Sequence, residues 1–371
     1  MAKKEKKSTE TPNDQIQKFR SRIDEIDQHV LSLINERLSI GLQIGKLKEK
    51  KEDPVQDKSR EAEILKNLTV MNKGPLKNEV LHHLFSEIIS ASRKIQEIKL
   101  ISYLGPETTF SHIAARNFFG PSVSFVPQPN IGDIFVEVER NACHFGVVPV
   151  ENSTEGTVHT TLDLFFESDL KICAEIYQII SYDLLSRSGI LSEVREIYSH
   201  AQGFTQCRKW LKKHLSEGTL IECTSTAQAA KEAAGIPGSA AIASQEAARM
   251  YDLRVVTSKI EDDTRNTTRF IVIGKEAAQR TGKDKTSIMF VTAHVPGALF
   301  KILEPIAQAG INMLKLESRP TKYQNWNYCF FVDIEGHIED KQISDTIKQM
   351  KSLCQYLKWI GSYPQSKQEE I

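Results

Sequence analysis

The sequence predicts a multidomain chain: an all-α block of three helices, a two-lobed α/β block, and a small α+β block of ferredoxin-like order. Three observations carry this. A heptad rhythm of apolar residues runs without proline from Asp14 to Lys50. From Ile101 it gives way to short β-branched and aromatic runs alternating with helices. From Ser287 the order becomes strand, helix, strand, strand, helix, strand. With 371 residues the chain is long enough for two or three domains with real cores. Its 48 basic and 48 acidic residues balance, so nothing overall points to nucleic acid or an anionic membrane. No apolar run approaches a membrane span. Met1 to Asn13 is Lys-, Ser- and Thr-rich without an apolar segment, a solvated tail and not a signal peptide. Six cysteines (Cys143, Cys173, Cys207, Cys223, Cys329, Cys354) lie far apart, as suits reduced thiols in cytoplasm, with neither a metal site nor a disulfide framework. The expected divisions are a tail over 1–12, helices over 13–99, the α/β block over 100–275, a linker over 276–286, the ferredoxin-like block over 287–364 and a tail over 365–371.

In the first helix Ile16, Phe19, Ile23, Ile26, Val30 and Leu33 keep the heptad spacing, and Thr11-Pro12-Asn13-Asp14 supplies a start. Position 37 should be apolar and is Arg37; the rhythm resumes at Ile40, Ile44 and Leu47. A charge on a seam is costly unless an anion pairs with it. Arg37 is therefore either a register-setting polar residue of a coiled-coil arm or a ligand contact. Pro54 and Lys73-Gly74-Pro75 bound a short helix from Asp57 to Val70, on which Asp57, Arg60 and Glu61 share a face. A third helix runs from Asn78 to about Lys99, with Leu81, Phe85, Ile88 and Ile95 on one stripe together with Ser92, and Gln96 one turn on. Arg20 and Lys48 are ~42 Å apart along a straight helix, whereas Arg37 and Lys48 are only ~16 Å apart. If Arg20 serves the same kind of site as Lys48, it comes from a second, antiparallel chain. That predicts an intertwined dimer with two equivalent sites.

The pattern Arg20, Arg37, Lys48, Asp57-x-x-Arg60-Glu61, Ser92-x-x-x-Gln96 resembles the all-helical chorismate mutase family, each of whose polar site positions has a matching residue here. The resemblance implies that Arg20, from the partner chain, and Arg37 hold the two carboxylates of chorismate. Lys48 and Gln96 would hydrogen-bond the ether oxygen, Glu61 and Asp57 would bind the ring hydroxyl side, and Arg60 and Ser92 would complete the pocket. Chorismate to prephenate is a unimolecular rearrangement that needs no cofactor. It needs the compact diaxial conformer and stabilisation of charge gathering on the breaking ether oxygen.

In the central block the strand candidates are 100–103, 123–126, 145–149, 172–180, 195–199, 220–223, 239–243, 253–256 and 269–273, with helices such as 111–119, 131–140, 203–214, 226–234 and 244–250. The pattern is two small sheets, with the chain crossing over near 180–190 and returning near 240–270. Four strand ends carry small polar residues before a helix: Gly105 to Ser111, Glu151 to Gly156, Ser199 to Gln202, and Thr224-Ser225-Thr226. Each is an N-cap signal by itself. Facing one cleft, the four would offer hydroxyls and backbone N–H groups to a small carboxylate.

Leu104-Gly105-Pro106-Glu107, Val148 to Ser153, Tyr198-Ser199-His200 and above all Thr267-Thr268-Arg269-Phe270 resemble the signature stretches of prephenate dehydratases, over about 100 to 275. That family's two-lobed fold is similar to the type 2 solute-binding proteins. Two positions depart from its pattern, Thr108 and Ala201. The resemblance implies that Thr268 falls on the family's essential threonine. It would act as a positioned donor to the departing hydroxyl within a network of Asn152, Glu151, Ser199 and Gln206. Ser153, Ser225 and Thr226 are further expected prephenate contacts. Arg269 either pairs with a substrate carboxylate or forms a structural ion pair.

The ferredoxin-like order of the last block, with strands 288–293, 311–318, 328–334 and 356–362 and helices 297–309 and 340–353, says nothing about function by itself. Gly297-Ala298-Leu299 and Glu317-Ser318-Arg319-Pro320 resemble the phenylalanine-binding stretches of the ACT regulatory domain. Taken together, the resemblances imply a bifunctional enzyme of L-phenylalanine biosynthesis: chorismate mutase, then prephenate dehydratase, with feedback by L-phenylalanine. It would work without cofactor or metal, as a homodimer or higher homo-oligomer. The competing readings are a dehydratase that takes arogenate, and a non-catalytic solute-binding protein on a coiled-coil arm.

Overall fold

A computed structural model describes residues 12–49, 58–96, 99–120, 123–293, 295–320 and 328–366. The chain divides into two units, Met1–Ile98 and Lys99–Ile371.

The first unit holds helices α1 (Pro12–Glu49), α2 (Lys58–Met71) and α3 (Asn78–Gln96). The proline-free heptad run thus forms one helix of 38 residues. Its core is small: Leu81 and Ile89 are the buried large apolar side chains among the described residues. Meanwhile Ile16, Phe19, Ile23, Ile26, Val30, Leu33, Ile40 and Ile44 stand 47–69% exposed along α1. A face this apolar is built to be covered.

The second unit begins with a six-stranded sheet. Its strands are β1 (Leu100–Leu104), β2 (Ser124–Gln128), β3 (Phe145–Asn152), the short β4 (Gly156–Thr157), β5 (Lys171–Ile179) and the returning β11 (Thr267–Gly274). They run in the order β2-β1-β3-β11-β5, with β4 beside β3. Helices α4 (Phe110–Phe119), α5 (Ile131–Glu139) and α6 (His159–Glu167) pack on it. Inserted before β11 is a second lobe. It comprises β6 (Asp183–Ser186), β7 (Glu196–Ser199), α7 (Ala201–Gln206), α8 (Arg208–His214), β8 (Thr219–Glu222), α9 (Thr226–Gly235), β9 (Ser239–Ala243), α10 (Gln245–Met250) and β10 (Arg254–Thr257). Its sheet order is β10-β6-β9-β7-β8. The chain therefore crosses between lobes twice, as the expected two-lobed fold requires. The helix expected over 203–214 is two, α7 and α8, turning at Cys207, whose φ of −108° and ψ of 14° leave the helical region.

The C-terminal part follows: β12 (Asp284–Val291), α11 (Ala298–Gln308), β13 (Met313–Pro320), β14 (Tyr328–Glu335), α12 (Lys341–Leu353) and β15 (Tyr356–Pro364) form an antiparallel sheet in the order β13-β14-β12-β15. Its two faces differ. Ile288, Phe290, Phe330, Val332 and Ile334 pack under the two helices with Ile302, Ile306, Ile343, Ile347 and Met350. Met289, Val291, Cys329, Phe331, Ile360 and Tyr363 share a core with Val148, Phe165, Leu170, Ile172 and Ile271 of the first lobe. At Gly361 the sheets come so close that a Cβ would lie 2.4 Å from the Ile172 carbonyl oxygen and 2.7 Å from its nitrogen. β12 starts inside the segment expected to be a linker. Its opening residues, Lys285 and Ser287, are polar and buried in an ion network described below, so no apolar pattern announces them.

Candidate active sites

Where the chain re-enters the first lobe, four consecutive buried polar residues, Asn266 to Arg269, come together with the buried Asn152 and Gln206. Asn152 ends β3, and Thr268 faces it across the ladder on β11. The Asn152 Oδ1 accepts the N–H groups of Thr154 (2.9 Å) and Glu155 (3.0 Å). A backbone N–H can only donate, so this oxygen is identified and the Nδ2 must face the other way. It donates to Thr268 Oγ1 (2.8 Å) and to Asn266 Oδ1 (2.9 Å). Asn266 Nδ2 donates in turn to Gln206 Oε1 (2.6 Å), on α7 of the second lobe. Thr268 is thereby an acceptor from Asn152, and its own hydroxyl proton is directed elsewhere. Asn152, Gln206, Asn266 and Thr268 are all buried, which strengthens each bond and raises the cost of losing one.

This network holds three of the expected residues, Thr268, Asn152 and Gln206, and adds Asn266, which sequence reasoning missed. Ser153 accepts the Thr267 N–H through Oγ (3.0 Å) and so anchors the start of β11. Ser225 caps α9, accepting the Gln228 N–H (3.0 Å), and Thr226 is the first residue of that helix. Two expected network members are placed otherwise. Ser199 is fully buried and donates to the Ile242 carbonyl of the neighbouring strand (3.1 Å), so its hydroxyl proton is engaged inside the second sheet. Glu151 lies on the opposite face of β3 from Asn152, with its carboxylate 2.8 Å from the Lys315 ammonium, close enough for an ion pair but outside hydrogen-bond geometry. Successive strand residues point to opposite faces, so a neighbour of Asn152 cannot join its group.

The same alternation settles Arg269. Beside Thr268 but facing away from it, its guanidinium donates to Glu175 (2.9 Å), to Asp333 (2.8 Å) and to the Tyr363 hydroxyl (2.9 Å). Of the two readings of Arg269, the described contacts match the structural ion pair, its guanidinium being engaged by protein groups.

A second contact between the lobes is made by the Ser244 hydroxyl of the second lobe, which donates to the Thr108 carbonyl (3.0 Å). Thr108 has φ of 67°, uncommon for a β-branched residue, and its buried hydroxyl has no protein partner. Its N–H donates to His112 Nδ1 (3.0 Å), and His112 stacks on Tyr103. Burial pushes the His112 pKa down, with Arg116 adding to this against Glu107 and Glu246.

In the helical unit Arg37 is half-buried, Glu61 half-buried, Ser92 buried, and Arg20 exposed. Arg60 donates to Glu63 (2.6 Å). Lys48 and Gln96 lie in α1 and α3, with side chains outside the described residues; Asp57 lies outside them altogether. In the C-terminal sheet Gly297 has φ of +78° and precedes α11. Gly297, Ala298 and Leu299 line a cavity with Thr292, Val295 and Phe300. Glu317 and Arg319 face the first lobe, where Arg319 pairs with Asp163 (2.8 Å), while Ser318 and Pro320 are exposed on the other side of β13.

A helical unit with a guanidinium on its seam, a two-lobed core with a hydroxyl–amide network at its crossover, and a ferredoxin-like sheet sharing the first lobe's core together define a multidomain enzyme. Residues 19–97 match the family described as chorismate mutase type II, 101–278 prephenate dehydratase, and 286–351 the ACT domain. The bifunctional chorismate mutase/prephenate dehydratase of Aquifex aeolicus is 43% identical over 96% of this chain and all of its own length. That of Stutzerimonas stutzeri is 41% identical over 95% and 98%. A prephenate dehydratase from Arthrobacter aurescens, solved in complex with L-Phe, superposes with a TM-score of 0.67 at 30% identity, covering 72% of this chain and 90% of its own. The chain belongs to the bifunctional chorismate mutase/prephenate dehydratase family. It is an enzyme of phenylalanine biosynthesis with an isomerase unit, a lyase unit and a regulatory sheet.

Proposed function

We propose that the helical unit rearranges chorismate to prephenate, that the two-lobed unit converts prephenate to phenylpyruvate, and that L-phenylalanine acts back through the C-terminal sheet. The observation that carries the dehydratase assignment is the Thr268 hydroxyl, fixed as an acceptor from Asn152 with its proton free. Prephenate loses its ring carboxylate as CO2 while the ring hydroxyl departs as water, so a donor to that hydroxyl is the required group. A threonine is too weak an acid to act unaided. Here Asn152 accepts two backbone N–H groups and is anchored to Asn266 and Gln206, which preorganises the donor in a water-poor site.

For the rearrangement, Arg37 and Lys48 hold the substrate from one chain and Arg20 completes the site from another. The ~42 Å along α1 supports this, as does the exposed apolar seam that a second α1 would cover. We therefore read the working form as a homodimer at least. Asp57, Arg60, Glu61, Ser92 and Gln96 close this pocket. Gly297, Ala298 and Leu299 lining their cavity, and the stretch Glu317 to Pro320 with alternate residues on the two faces of β13, are read as contributing to the effector site. Six free cysteines and a substrate from general metabolism support a cytoplasmic location.

Arogenate, with an amine for the keto group, remains the second substrate reading. Incubating the purified full chain with chorismate, prephenate and arogenate in parallel tests the assignment. Phenylpyruvate from the first two is expected. Phenylalanine formed from arogenate in preference would shift the substrate, and unchanged chorismate would sink both activities.

A further inference from the structure

Arg269 sits one residue from Thr268 and belongs to a closed circuit shared by the lobe and the C-terminal sheet. Its guanidinium can only donate and the Asp333 carboxylate can only accept, so the hydroxyls between them have fixed directions. Arg269 donates to Tyr363 (2.9 Å), Tyr363 to Ser287 (2.7 Å), Ser287 to Asp333 Oδ1, and Arg269 directly to Asp333 Oδ2 (2.8 Å). On its other side Arg269 donates to Glu175 (2.9 Å), which accepts Lys285 from the sheet (2.8 Å). Two positive and two negative charges cancel in a site where Arg269, Glu175, Lys285 and Asp333 are all under one tenth exposed. No member can shift without leaving a buried charge unpaired, so the circuit moves as a unit or not at all.

The circuit also reaches the stretch Glu317 to Pro320. Asp333 on β14 is the register partner of Lys315 on β13. Lys315 holds Glu151, and Arg319 holds Asp163 on α6. The two residues of the donor pair, Asn152 and Thr268, are thus each followed or preceded in sequence by a residue gripped from this sheet: Glu151 by Lys315, Arg269 by Asp333.

We propose that Arg269 is a positioning residue that transmits effector occupancy of the C-terminal sheet to Thr268, through the circuit Asp333–Ser287–Tyr363. A displacement of β13 and β14 then moves the backbone of β11 beside the donor hydroxyl. This rests on the reading of L-phenylalanine as the effector.

The test is to make Tyr363→Phe and Asp333→Asn in the full chain and measure L-phenylalanine binding by calorimetry alongside its maximal inhibition of prephenate turnover. The expected result is binding retained, inhibition weakened roughly 5-fold or more, and mutase turnover unchanged. Full inhibition in both variants would overturn the proposal, since the circuit would then be structural glue alone. Binding and inhibition lost together would overturn it too, by placing these residues in the effector site. If Asp333→Asn does not fold, Tyr363→Phe, which opens the circuit at one neutral bond, decides alone. Absence of inhibition in the unaltered chain would instead count against the effector reading.

Discussion

Replacing Thr268 by Ala removes the donor while leaving Asn152 anchored by Asn266 and two backbone N–H groups. Prephenate turnover should fall by roughly 10²-fold or more, with mutase turnover intact, so that chorismate is converted to accumulating prephenate. An equal fall in both rates would refute the division of labour. Asn266→Ala should act on the same reaction from one step away. It strands the amides of Asn152 and Gln206 at a cost of about 1–3 kcal/mol each, and is measured as lower kcat and lower Tm. No local signal marked Asn266, because its partners are a strand end and a helix end far away in sequence. From the sequence alone, Arg269 is open between a substrate contact and an ion pair. Its partners Glu175, Asp333 and Tyr363 lie far away in sequence and give no local signal, although strand alternation turns neighbouring side chains to opposite faces. His112 gives the pH test. Its folded pKa lies below the unfolded 6.5, so its contribution is full above pH 6.5 and is lost as pH falls through the folded value. Tm should drop on acidification from pH 7, and His112→Gln should flatten that slope.

At the scale of elements, β15 against β5 shows how backbone, not side chain, can fix an interface. Gly361→Ala would place a methyl 2.4 Å from the Ile172 carbonyl oxygen, and backbone cannot swing aside as a long side chain does. The sheet should partly undock, exposing Met289, Val291 and Phe331, with a lowered Tm and dye binding as the readouts. Cutting the chain near residue 280 is a harsher version of the same change, since it uncovers that shared core and unpairs Glu175 from Lys285. Sequence patterns located most strands and helices of these lobes because apolar runs and breakers are local properties. β6 and the opening of β12 were not legible. β6 is four residues long, and β12 opens with buried charges whose partners lie on other strands. The docking of the C-terminal sheet was equally hidden: its apolar inner face reads as any sheet core.

For the whole molecule, the decisive quantity is the apolar seam of α1. Covering eight half-exposed side chains would contribute on the order of 10 kcal/mol per chain. Self-association is therefore expected to be coupled to folding of that unit. The length of α1 adds a functional consequence, because Arg20 and Lys48 sit on one helix, ~42 Å apart at the ideal helical rise. Chains carrying Arg20→Ala or Lys48→Ala should each be inactive as a mutase. In a mixed dimer, one site receives both substitutions and the other receives neither. Random pairing of equal amounts makes half of the dimers mixed, so about a quarter of the unaltered mutase activity should return. Prephenate turnover, carried by the other unit, should stay constant throughout and serves as the internal control. Mixed dimers confirmed by mass, with no recovered mutase activity, would show that each chain builds its site alone.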